Sequence, residues 1–166
     1  MEMQAGKMHK ILRPLCWIMG TWKPVCAVSE HPTKYEPRPF KEILSFTSLG
    51  QPQLKFDSIS WDSETLIPLH IQNGYLYIDE VGKNVSLVTA HSRGFASVEV
   101  GRVKGCNMKL KNQIIEHGET TPKKITAFRR EFSLNNKGQL VYKMMMQTEE
   151  DSQLFTHLKA VYEKSC

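Results

Sequence analysis

The sequence predicts an all-β protein: an antiparallel, up-and-down barrel of about ten strands with one short helical turn near its start. Three observations carry this expectation. Apolar and polar residues alternate with period two along most of the 166 residues. Turn-forming clusters recur at intervals of about 8 to 12 residues. Helical periodicity is confined to one stretch before Gly20.

Leu12 to Met19 predicts a single helical turn, with Pro14 near its first position, where a missing N–H does no harm, and Gly20 stopping it. Phe40, Glu42, Leu44 and Phe46 then alternate with Lys41, Ile43 and Ser45. Leu54 and Phe56 alternate with Lys55 and Asp57, and Cys106, Met108 and Leu110 with Asn107, Lys109 and Lys111. Ala127, Arg129 and Glu131 separate Phe128, Arg130 and Phe132. Each run gives a sheet one dry and one wet face. Leu49-Gly50-Gln51-Pro52, Asn73-Gly74, Val81-Gly82-Lys83-Asn84, Val103-Lys104-Gly105 and Asn135-Asn136-Lys137-Gly138 read as turns, the last as the clearest hairpin. Closure into a barrel removes exposed edges. Without repeats or a linker, residues 1–166 read as one domain, with 1–10 as a flexible N-terminus.

Composition narrows the function. The net charge of +5 comes from scattered Lys and Arg. The densest clusters, Lys109/Lys111, Lys123/Lys124 and Arg129/Arg130, lie within strands and read as a solvated outer face, so no nucleic acid is expected. Cys16, Cys26, Cys106 and Cys166 have no Cys-x-x-Cys spacing, which argues for free thiols, a reducing cytoplasmic setting and no zinc site. No run of 18 uncharged apolar residues and no apolar leader occurs, so no membrane partner is expected. A barrel of this size commonly encloses one small ligand.

Candidate chemistry is sparse. His157 sits in the closing strand, Leu154-Phe155-Thr156-His157-Leu158-Lys159-Ala160. By strict alternation it shares a face with Phe155 and Val161 but also with Lys159 and Glu163. Either the strand is bulged there or Lys159 reaches solvent from the barrel mouth. His91 and His117 read as turn or strand-end residues with no nearby partner at ligand spacing. Glu42, Glu99 and Glu131 read as single surface or rim carboxylates, and Trp22 and Trp61 as core. Of Met144, Met145 and Met146, at most two face inward.

Leu12-Arg13-Pro14-Leu15-Cys16-Trp17-Ile18-Met19-Gly20-Thr21-Trp22 resembles the opening of the nitrobindin family, haem-binding barrels also found as the C-terminal domain of a THAP-type zinc-finger protein. The resemblance continues through Pro68 to Tyr75, Gly94 to Gly101, Arg130-Glu131-Phe132 and His157-Leu158-Lys159-Ala160. It implies a lipocalin-like barrel of about ten strands holding haem b. His157 would be the axial iron ligand, with His70, Met146, Leu69 and Thr33 around the haem. The implied activity is binding of nitric oxide, isomerisation of peroxynitrite to nitrate, or both, with peroxynitrite isomerase as the enzyme class. Small molecules are the implied partners of a monomer or homodimer. The alternative is a non-enzymatic carrier of a fatty acid or another apolar ligand.

The chain departs from the family pattern in two places. After Trp22 the family's spaced glycines are missing, and His31 stands where tyrosine is usual before Pro32-Thr33. The loop Thr148-Glu149-Glu150-Asp151 is acidic where threonines are usual. Both predict weaker haem retention than in typical relatives.

Overall fold

The computed structural model describes residues 7–31, 34–121 and 124–165, with the side chains of all of these except 30, 31 and 34–36. The described residues form a 3-10 helix, Lys10–Leu15, and ten strands. These are β1 (Gly20–His31), β2 (Lys34–Ser48), β3 (Gln53–Asp62), β4 (Pro68–Ile78), β5 (Asn84–His91), β6 (Phe95–Lys104), β7 (Asn107–His117), β8 (Ile125–Leu134), β9 (Leu140–Thr148) and β10 (Asp151–Lys164). Each strand pairs antiparallel with its neighbours in sequence, and β10 returns to β1, closing the barrel.

Alternation translates directly into burial. Phe40, Glu42, Leu44 and Phe46 on β2 are all buried, as are Phe128, Arg130 and Phe132 on β8. Rings fill one half of the interior: Phe46 lies 5.2 Å from Phe56 and 5.7 Å, edge-on, from Phe132, which stacks on Tyr142 at 4.4 Å. Such pairs add to plain area burial, about 0.5–1.5 kcal/mol each.

The helix closes this end of the barrel. Leu12, Leu15 and Ile18 are fully buried, and the Trp22 indole donates to the Ile18 carbonyl at 2.8 Å. The turn starts two residues earlier than the sequence predicts, and it is 3-10 rather than α. His9 accepts from the Ile11 N–H through its ring and from the Leu12 N–H through its carbonyl, which sets the tighter i, i+3 pattern. Pro14 is therefore the fifth residue of the helix, not near its first.

Two further expectations are corrected. Asn73-Gly74 is no turn but the middle of β4. Glycine is required there by close approach: a Cβ on Gly74 would stand 1.9 Å from the Val88 carbonyl oxygen. Trp22 is core, whereas Trp61 is only half-buried. The other four turn clusters lie at strand junctions, although Val103 and Lys104 still belong to β6 and Asn84 opens β5, and the Asn135 carboxamide stitches the β8–β9 hairpin by accepting from the Lys137 and Gln139 N–H groups. Cys16, Cys26 and Cys106 are free and exposed. Among the described residues, no helix is long and apolar enough to cross a membrane.

Candidate functional site

Toward the end of the barrel opposite the helix, Phe40 and Glu42 from the middle of β2, the first residues of β4 and late residues of β1 and β3 surround a pocket of about 160 Å³. Phe40, Leu69, Met144 and Leu158 give it apolar walls; His70 and His157 enter from β4 and β10.

Two bulges place the imidazoles. Thr156 pairs with Met145 and Leu158 with Met144, so His157 is an extra residue in β10. The strand changes phase there. Before the bulge Phe155 packs on the core; after it Leu158, Ala160 and Tyr162 do. His157 and Leu158 can thus both face the pocket, which regular pleating forbids, and exposed Lys159 falls on the outer face. The bulge, not a reaching lysine, is the solution found. The same device recurs across the mouth. Ser60 pairs with His70 and Trp61 with Pro68, so Leu69 is extra, and both Leu69 and His70 line the pocket.

Below the pocket lies a buried polar layer that the sequence reading missed. His70 Nε2 stands 3.3 Å from His91 Nδ1, and the His91 ring stacks on Phe95 at 3.9 Å. His91 Nε2 meets Thr89 Oγ1 at 3.0 Å and Ser97 Oγ at 3.1 Å. Deeper still, Arg130 donates from Nε to both Glu99 oxygens, at 3.0 and 2.8 Å, from Nη1 to Tyr142 and from Nη2 to Gln72 at 2.7 Å. Glu42 accepts from Ser58 and Tyr162.

Charge in this layer is set by burial. Desolvation lowers His70 to about 3, helped by the Arg130, Arg93 and His157 charges. It lowers His91 to about 2, again with help from Arg130. Both rings are therefore neutral at physiological pH. Desolvation pushes Glu42 and Glu99 up, and Tyr142 up to about 12. The Glu99 charge holds Arg130 protonated against the cost of its own burial.

The two histidines make the fold acid-sensitive. Unfolded, each takes a proton near pH 6.5; folded, neither does so until about 3 or about 2. Between those limits the unfolded chain binds more protons, so stability falls as pH falls from 6.5. At pH 5 the loss is on the order of 2 kcal/mol for each ring. Urea midpoints at pH 7 and pH 5 are expected to drop accordingly, and His91→Gln to lose its share of the drop.

The predicted site residues divide. His70, His157 and Leu69 line the pocket. Met146 is buried opposite Phe155 and Phe128, while Met144 holds the pocket wall. Thr33 lies outside the described residues, as do the His31 side chain and Lys123. Three expectations are corrected. Arg130 is no surface charge but fully buried. Glu42 and Glu99 are core carboxylates, and only Glu131 keeps a surface role, 3.5 Å from Lys109. His91 has a partner, His70, whereas His117 accepts from the Ile125 N–H at its strand end. In the acidic loop, Glu149 stands 4.0 Å from Lys124, which offsets part of its charge. A larger open depression of about 1070 Å³ lies outside the barrel, lined by Arg102, Lys109, Lys111 and Arg129. No imidazole reaches it, and it is not the candidate site.

Comparison with known proteins places these features in context. The family described as THAP4-like, heme-binding beta-barrel domain matches residues 11–164. A protein of Arabidopsis thaliana named peroxynitrite isomerase Rv2717c is 30% identical over 163 residues, covering 97% of this chain and 93% of that protein. The peroxynitrite isomerase THAP4 of Rattus norvegicus is 29% identical over 163 residues; these cover 95% of this chain, which spans 28% of that protein's length. The crystal structure of Rv2717c from M. tuberculosis superposes with a TM-score of 0.83 at 26% identity, covering 96% of this chain and 100% of that one.

Proposed function

The chain belongs to the THAP4-like, heme-binding beta-barrel domain family, and from that premise we propose that it holds haem b at the barrel mouth and there binds nitric oxide or isomerises peroxynitrite to nitrate. The observation that carries this reading is the bulge that turns His157 into a mouth pocket already faced by a neutral His70.

The residues present fit the group by their donor chemistry. His157 would supply an imidazole ligand from the rim. The enclosed volume of about 160 Å³ is smaller than the roughly 300–1,000 Å³ of pockets that engulf a ligand. Underneath, Arg130, Glu99, Glu42 and the phenylalanine cluster fill the interior. That filling disfavours a fatty acid sunk into the barrel. The sequence lacks Cys-x-x-Cys-His, the attachment signal of c-type haem, which supports the b type.

Ferric haem, when bound, supplies an iron with an open coordination position for a small nitrogen oxide, tuned by axial ligand and pocket polarity. The chain's residues do the rest. Phe40, Leu69, Met144 and Leu158 give the pocket apolar walls that exclude water. Arg93, lining the same pocket, is the cation available to a carboxylate substituent. We place the protein in the cytoplasm, supported by the exposed free thiols of Cys16, Cys26 and Cys106, with small molecules as its partners.

Haemin titration tests the reading. The purified protein is expected to emerge partly or wholly empty and to develop a shifted Soret band that saturates near one equivalent. No Soret shift at stoichiometric haemin would sink the haem reading and leave the apolar-carrier alternative.

A further inference from the structure

We infer that the open depression on the outside of the barrel binds a short chain of linked phosphates, free or carried by a nucleotide. Cross-strand register carries this. Two rows of outward side chains run side by side across the depression. One holds Asn84, Arg102, Lys109 and Glu131, from β5 to β8. The other holds Tyr77, Ser86, Val100, Lys111 and Arg129, from β4 to β8. All of them line the same recess of about 1070 Å³. The four cations are exposed, while Val103, Leu110 and Arg130 beside them in their strands are buried. Barrel formation thus gathers charges that stand apart in the sequence.

The gathering is costly as it stands. Arg102 is directly opposite Lys109, and Lys111 directly opposite Arg129. Opposed residues have Cβ atoms about 4.5–5.5 Å apart, where like charges destabilise a sheet. A merely solvated face intersperses the two signs. Here the carboxylates of the recess are already engaged. Glu131 stands 3.5 Å from Lys109. Asp79 accepts from the Lys83 and Asn84 N–H groups of its own turn, at 2.9 and 3.1 Å. Among the described residues, Arg102, Lys111 and Arg129 have no ion pair and no side-chain hydrogen bond.

A recess lined by one sign of charge focuses its potential, and a ligand with several negative charges relieves both like-charge pairs at once. Phosphate matches the donors: arginine forks grip it bidentately and lysines meet it as point charges. The cations occupy β6 to β8, two strand spacings or roughly 10 Å. Glu131 ends their row, so a short phosphate chain fits where a long nucleic-acid strand would run onto a carboxylate. Tyr77 lies three strand spacings from Lys111, roughly 14 Å. Its exposed ring offers a base a stacking surface at the reach of a nucleotide. The recess lies outside the barrel, so this inference stands apart from the haem reading.

Calorimetric titration of the purified full chain with inorganic triphosphate and with ATP, at pH 7 and low salt, tests it. Saturable one-to-one binding of triphosphate is expected, weakening as salt is added. Lys111→Ala/Arg129→Ala is expected to weaken it about tenfold or more. Its urea midpoint is expected to hold or rise, because the change also removes a like-charge pair. Lys23→Ala/Lys137→Ala, which removes the same charge from exposed positions elsewhere, is expected to leave binding unchanged. ATP binding tighter than triphosphate, with the advantage lost in Tyr77→Ala, identifies the nucleotide as the source; equal binding indifferent to Tyr77→Ala identifies the free phosphate chain. Absence of saturable triphosphate binding, an equal loss in the Lys23→Ala/Lys137→Ala protein, or tighter binding of a single-stranded oligothymidylate than of either probe overturns the site.

Discussion

Arg130→Met is expected to cost about 3–5 kcal/mol of stability, the range for breaking a buried ion pair by removing one partner. The arginine is fully buried and its guanidinium satisfies Glu99, Tyr142 and Gln72 at once, while its Cζ lies over the Phe56 and Phe128 rings, 5.8 and 5.5 Å from their centroids. Methionine replaces the packing but strands three polar partners, of which Glu99 is the most costly. The penalty has a pH signature. Burial already pushes Glu99 up, and loss of Arg130 pushes it further. The folded variant then binds a proton that the unfolded chain does not, so its deficit relative to wild type shrinks as pH falls. Glu99→Gln in the Arg130→Met background is expected to recover part of the loss, because a neutral carboxamide is cheaper to bury than a carboxylate. Urea unfolding of the two single variants and the double variant, at pH 5.5 and pH 8, checks this. A loss under 1 kcal/mol at both pH values would mean the pair contributes nothing that apolar packing cannot replace.

The same residue illustrates what was legible in the sequence. Period-two alternation put Arg130 between Phe128 and Phe132 on the dry face of its strand, and Glu42 with Phe40, Leu44 and Phe46. The phase was right for both. What misled was charge: Arg129/Arg130 and a lone glutamate look like solvated groups, because buried charges are rare. Their partners, Glu99 and Tyr162, lie 31 and 120 residues away, and only closure of the barrel brings them together. Barrel class, strand number and most turns depend on local pattern and could be read. Gly74 could not, since the reason for glycine is the Val88 carbonyl of the neighbouring strand.

The candidate site was legible in its residue types more than in its geometry. Alternation left His157 on a face shared with Lys159 because a bulge has no sequence signature; it is defined by a register shift against β9. The matching bulge at Leu69 was equally hidden. His91 was passed over because its partner, His70, sits on an adjacent strand, out of reach of any linear spacing.

His157→Ala is expected to abolish haemin uptake at stoichiometric concentration, a loss of more than about 100-fold, since even residues that merely orient a metal ligand cost 10–100-fold. The fold is expected to survive. His157 is only half-buried at the mouth, the bulge is a backbone feature, and the ring cluster and helix lie at the other end of the barrel. Exogenous imidazole is expected to restore a Soret band in the variant by filling the position left by the side chain. His70→Leu provides the contrast. Held through Nε2 by His91, His70 is expected to tune the bound spectrum and the nitric oxide off-rate without governing uptake. The pair of variants separates the two imidazoles by role: uptake lost in His70→Leu and kept in His157→Ala would exchange their assignments, and uptake kept in both would remove the bulged histidine from the site.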